Sequence, residues 1–175
     1  MIKVDPINKL DPSYVDPIQI TPNTWNDASF FVDFDKGGQP RPFRLGAFAD
    51  KSVWNPDNKE IPEPERPLVT AKSNPFSDTK WTHVAFTWER FNTDKKDGIA
   101  TLYLNGKNEG SIKNWNQNFS WAGKTHRILI GLNYMGLFDD LACFNRALSQ
   151  KEIESIYNHK KSILGLLKYN FRFLI

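Results

Sequence analysis

The sequence predicts an all-β fold, an antiparallel β-sandwich closed by one short C-terminal helix. Three features carry the prediction: an aromatic and β-branched run from Trp81 to Trp88, an Asn-Gly pair at 105–106, and a helix-start signature at Ser149. In Trp81-Thr82-His83-Val84-Ala85-Phe86-Thr87-Trp88 the period of two sends Thr82, Val84, Phe86 and Trp88 to one face, which reads as core. In Leu102-Tyr103-Leu104-Asn105-Gly106-Lys107 the Asn-Gly pair separates two strand-like runs and suits the positive φ that a type I′ turn requires at both central positions. Ile128, Leu129 and Ile130 read as a buried strand, 131–136 as a turn, and Leu137 to Phe144 as a further strand. Ser149-Gln150-Lys151-Glu152 is a capping box, in which the Ser149 hydroxyl accepts the Glu152 N–H while the Glu152 carboxylate reaches back. Leu148 and Ile153 fit the accompanying hydrophobic staple. Ile153, Ile156 and Tyr157 share the face with which so short a helix must dock to be stable.

Composition bounds the classes of function. With 175 residues, 39% hydrophobic and 14% aromatic, the chain is long enough and apolar enough for one globular domain. No apolar run approaches the roughly 20 residues of a membrane helix, and the mean hydropathy is −0.55, so a membrane span is excluded. The net charge is +3 and the basic residues are scattered, which gives no electrostatic footprint for nucleic acid. Cys143 is the lone cysteine and reads as a small core residue on a strand. Two loops are long or polar, 55–67 with its prolines and charges, and 91–98.

The order of motifs in the second half resembles a known family, the laminin-G-like, concanavalin A-like jelly rolls of bacterial surface and secreted proteins. Five motifs carry the likeness: Trp81 to Ala85, Leu102 to Gly106, Ile130-Gly131, Phe138 to Asp140, and Asn145 to Ser149 before the helix. The resemblance extends to 15–20, 30–34 and 43–48, which look like the middle strands of such a domain. It therefore covers 1–158 and leaves 159–175 as an off-pattern tail. It implies an antiparallel jelly roll and a non-catalytic module that binds carbohydrate or a protein partner, as part of a larger surface or secreted protein. Such domains open with further strands, including an outer strand that pairs near the C-terminus, and Met1 to Asp5 looks like the tail of one of them, so the resemblance also implies missing first strands and, as an alternative, a truncated remnant without activity of its own. The family setting is extracellular, yet Met1 to Pro6 has no apolar h-region and is not a signal peptide.

Candidate chemistry is sparse. A retaining glucanase needs two carboxyl groups about 5 to 5.5 Å apart. In Glu60-Ile61-Pro62-Glu63-Pro64-Glu65 the prolines forbid a central strand, while Asp139 and Asp140 are adjacent and point to opposite faces of any strand. His83, His126 and His159 have neither nucleophile partners nor zinc spacing. The sequence thus predicts no enzyme. The resemblance implies a calcium ligand at Asp139, whose cation would want six to eight oxygens. The competing reading has Asp139 and Asp140 bonding the turn after Gly136.

Asn114 to Trp121 interleaves aromatics with amides, and Trp115, Asn116, Asn118 and Trp121 form a candidate ligand set: flat rings cover sugar C–H faces while amides fork to hydroxyls. The competing reading is a connection in which Trp115 and Trp121 cap the core, and it is the one the sequence favours; Trp54 is a further, lesser candidate. In the tail, Tyr169, Phe171 and Phe173 alternate with Lys168, Asn170 and Arg172. That pattern fits an added edge strand or an unpaired, aggregation-prone tail, with the second favoured.

Overall fold

The computed structural model describes residues 1–159 apart from 8, 9, 23, 122 and 123; the tail reading lies outside the described residues. The strands are β1 (Ile2–Lys3), β2 (Val15–Thr21), β3 (Phe30–Phe34), β4 (Phe43–Ala47), β5 (Leu68–Thr70), β6 (Val84–Glu89), β7 (Gly98–Leu104), β8 (Lys107–Trp115), β9 (Arg127–Leu132) and β10 (Leu137–Phe138). A single helical turn, α1 (Lys51–Trp54), follows β4, and α2 (Gln150–Asn158) follows β10. The strands pair antiparallel into a five-stranded sheet, β5-β4-β3-β2-β9, a three-stranded sheet, β6-β7-β8, and a β1–β10 ribbon. Non-sequential neighbours such as β2 and β9 make this the crossed-over sandwich that the motif order predicted.

The core lies between the sheets because alternate residues of each strand point inward. Phe30, Val32 and Phe34 of β3 and Phe43, Leu45 and Ala47 of β4 meet Ala100, Leu102 and Leu104 of β7 and Ile112 of β8, all buried. Each large side chain buried here contributes roughly 1.5–3 kcal/mol. Gly46 has a local reason. The Phe31 ring lies over it on the outer face, and a Cβ there would come within 2.3 Å of that ring.

The predicted turn and helix support each other. Asn105 and Gly106 take φ of 49° and 78°, the type I′ geometry. Gln150 Nε2 donates to the Gly106 carbonyl at 2.6 Å, and a Cβ on Gly106 would meet the Tyr157 ring at 3.1 Å. Glycine is thus needed there for both φ and close approach. The capping box is complete: the Ser149 N–H donates to Glu152 at 2.8 Å and Ser149 Oγ accepts the Glu152 N–H. Leu148 and Ile153 bury against Tyr103, on the outer face of the three-stranded sheet.

Four expectations need correction. The strand expected from Leu137 to Phe144 is only β10: Asp139 still bonds its ladder partner Met1 through N–H and carbonyl, and Asp140 then takes a φ of 50°, which breaks the ladder. Cys143 accordingly lies outside the sheets with an exposed thiol. The face of Val84, Phe86 and Trp88 touches the core but stays half-buried, and Ile128 and Ile130 of β9 are exposed. At the N-terminus, Ile2 pairs with Phe138 and bridges to Thr82.

Candidate ligand-binding surface

At one end of the sandwich, four connections are knitted by side chain to main chain bonds. The Asp50 carboxylate accepts the Ser120 N–H at 2.9 Å and 3.0 Å, and the Asp50 N–H donates to the Asn118 carbonyl at 2.9 Å. Asn92, in the left-handed region at φ 54°, accepts the Phe119 N–H at 2.8 Å and donates its own N–H to the Gln117 carbonyl. Asn118 Nδ2 donates to the Asp94 carboxylate, and Asp94 N–H donates back to Asn118 Oδ1 at 3.3 Å. Asn and Asp suit these positions because their short side chains tolerate left-handed backbone and bond locally.

This rim carries an aromatic shelf. Phe119 is buried and stacks on Phe91 at 5.4 Å and on Trp121 at 4.5 Å, while Phe91 and Trp121 are exposed at the surface. Trp121 is fixed by its Nε1–H, which donates to the Ala28 carbonyl at 2.8 Å, and by edge contact with Phe30. Fixed rings lose little rotamer freedom on binding, which favours a flat ligand.

The four ligand residues singled out from the sequence are placed differently. Trp121 and Asn118 belong to the rim, but Asn118 has its amide committed to Asp94. Trp115 packs against the main core, and Asn116 is half-buried with Oδ1 lacking a partner. Trp54 donates to the Asn26 carbonyl and packs on Phe48. Phe91 and Asp94 went unnoticed in the sequence; the only signal was a polar loop rich in residues that accept positive φ.

A second surface, the outer face of the five-stranded sheet, was not legible at all. Asp33 and Arg44 are paired across β3 and β4, both buried, and bond bidentately at 3.0 Å and 2.5 Å. Arg44 also reaches Glu63 at 2.8 Å, so the proline-rich loop is tied to the sheet, and it lies over the Tyr14 ring. Burial works against the Arg44 charge, but the bonds and charge of Asp33 outweigh it and push its pKa up. Asp16, bulged between Val15 and Ile18 in β2, is buried beside this pair. Burial, then the Asp33 charge, push Asp16 up to about 7 against the pull of Arg44.

Asp139, the expected calcium ligand, is exposed at the end of β10, where its carbonyl accepts from the Met1 ammonium. Among the described residues no three His, Cys, Asp or Glu side chains cluster as a metal set. No helix of the described residues is long and apolar enough to cross a membrane.

Two antiparallel sheets, a loop rim at one end and a capped helix docked on the smaller sheet define an antiparallel β-sandwich. Residues 15–154 match the family Laminin_G_3, described as the concanavalin A-like lectin/glucanases superfamily, and the chain belongs to that family. No curated protein and no solved structure matches it.

Proposed function

We propose that the chain is a non-catalytic recognition module that holds a carbohydrate on the shelf of Phe91 and Trp121, within a larger surface or secreted protein. The observation that carries this reading is the fixed Trp121 ring, exposed beside Phe91 and bonded through Nε1 to Ala28. A sugar face can stack there while a hydroxyl donates to the Asp94 carboxylate, which Asn118 holds in place. Trp115 packs against the core and lies outside the shelf. A glycan panel read by tryptophan fluorescence tests it. Trp121→Ala loses binding at least about tenfold, the scale of one lost aromatic contact, whereas Trp25→Ala, an exposed tryptophan on the outer sheet face, keeps it. Equal binding by both variants moves the site elsewhere, and a panel without any binder favours a protein partner on the same rim.

A second reading, a glycan-active enzyme, has one observation in its favour: Asp16 sits beside Asp33 and holds its proton near neutrality. Against it, both Asp33 oxygens are occupied by Arg44, so Asp33 is not a free second carboxylate. Glycan hydrolysis lost in Asp16→Asn would establish it. Calcium at Asp139 is a separate proposal, with Asp140 and main-chain oxygens as further donors; it requires a calcium-dependent rise in melting temperature that Asp139→Asn removes.

A further inference from the structure

The outer face of the five-stranded sheet holds two polar side chains that are buried yet unused. Ile18 and Ile20 of β2 point inward against the core, opposite Val32 and Phe30, so Gln19 between them points outward. There it lies between Phe31 of β3, whose ring covers Gly46, and Leu129 of β9. Asp16 reaches the same face across the bulge, beside Asp33 and Arg44. Gln19 is 4% exposed and Asp16 7%, and among the described residues neither side chain makes a hydrogen bond. Buried polar groups are nearly always paired, so two such neighbours on one strand mark a place that a ligand completes.

The charges around them say which ligand. Arg44 is shared by three carboxylates, Asp33, Asp35 and Glu63, at 2.5, 3.5 and 2.8 Å, which leaves Asp16 without a cation of its own. Arg41 does not supply one, because its guanidinium is given to the carbonyls of Asp11, Ser13, Phe34 and Asp35. Carboxyl groups therefore exceed the cations that face them. The Tyr14 ring draws Arg44 and Lys36 over itself, each at 5.3 Å, which shows that this side of the sheet favours positive charge. Asp16 already accepts such a charge as a proton held to about pH 7, since burial and then the Asp33 charge disfavour its anion.

We propose that this recess binds a primary ammonium group, with the Asp16 carboxylate and the Gln19 side-chain carbonyl accepting two of its N–H bonds. The third is left for water. A compact ammonium suits an opening through which so little of either side chain reaches the surface, whereas a planar guanidinium needs a wider fork of acceptors. On binding, the Asp16 proton leaves to solvent and the ammonium takes its place, so affinity rises as pH passes through about 7. Asp33 on β3 and Arg44 on β4, the charges that act on Asp16, stay paired with each other throughout.

Carboxyl carbon and amide NMR of the whole chain, titrated with n-butylammonium chloride or with n-butanol at matched ionic strength, tests this. We expect the amine alone to shift the Gln19 side-chain amide and to lower the Asp16 titration midpoint by about one pH unit or more at saturation. Affinity read from the β2 amides should fall at least about tenfold in Asp16→Asn and in Gln19→Leu. No response to the amine, an equal response to butanol, or unchanged affinity in either variant overturns the proposal. Should Gln19→Leu fail to fold, Asp16→Asn decides alone. A lysine peptide blocked at both ends separates the two sources of the group: binding about tenfold tighter than butylammonium assigns it to a protein partner, and equal or weaker binding to free amines.

Discussion

Leu45 and Ile130 are chemically alike, and both lie on strands of one sheet with side chains toward the same interior. Leu45 is fully buried, whereas Ile130 keeps more than half of its surface exposed. The difference lies wholly in what stands opposite. β4 faces β7 across the core, whereas among the described residues no strand of the smaller sheet makes comparable contact with β9. An alternating apolar strand therefore reports which face is meant for burial, while the opposing layer decides whether burial happens.

The covered and uncovered halves should differ most in what a truncated side chain costs. Phe34→Ala, in the covered half, is expected to lower unfolding free energy by about 3–5 kcal/mol, and Ile128→Ala, at the far edge, by about 1 kcal/mol or less. Chemical denaturation measures both, and equal losses would mean that β9 is as covered as β3.

Two titrating groups sharpen the contrast next. Asp16 is raised to about 7 in the fold, so the folded chain keeps a proton that the unfolded chain has released. Its contribution is present below pH 4 and is lost as pH rises through 7; Asp16→Asn should gain on the order of 2–4 kcal/mol at pH 8 and flatten that decline. His83 has the opposite dependence. Burial, then the Met1 ammonium, lower it to about 4, so the fold favours neutral His83, and stability falls as pH drops from 6.5 to 4 by about 2–3 kcal/mol. His83→Gln should remove this acid limb; a limb that persists places the titration elsewhere.

The smallest effect is local. Ser149→Ala should cost about 1 kcal/mol, because it removes a single cap from a helix that is otherwise held by Leu148, Ile153 and Tyr103. Thermal or chemical melting of the variant measures it.

What was legible depended on range. The Asn105-Gly106 turn and the Ser149 capping box are bonds among neighbours, so residue identity states them directly. The rim is another matter: Asp50 meets Ser120 across 70 residues of chain and Trp121 meets Ala28 across 93. Nothing in the stretch from Asn114 to Trp121 says that Trp115 turns to the core while Trp121 stays at the surface. The strand from Leu137 to Phe144 differs for a related reason, since its residues suit a strand but among the described residues ladder bonds reach only to Asp139.

By itself the sequence determined the class of fold, the turn, the capped helix and the family, because alternation, turn chemistry and capping are short-range constraints on backbone and side chain. Only the tertiary structure decided which inward faces are covered, that Asp33 and Arg44 form a buried pair with Asp16 beside them, and that Phe91 joins Trp121 on the rim. Each of these depends on strands brought together from distant parts of the chain, and burial and charge coupling act through that spatial proximity, which no local pattern encodes.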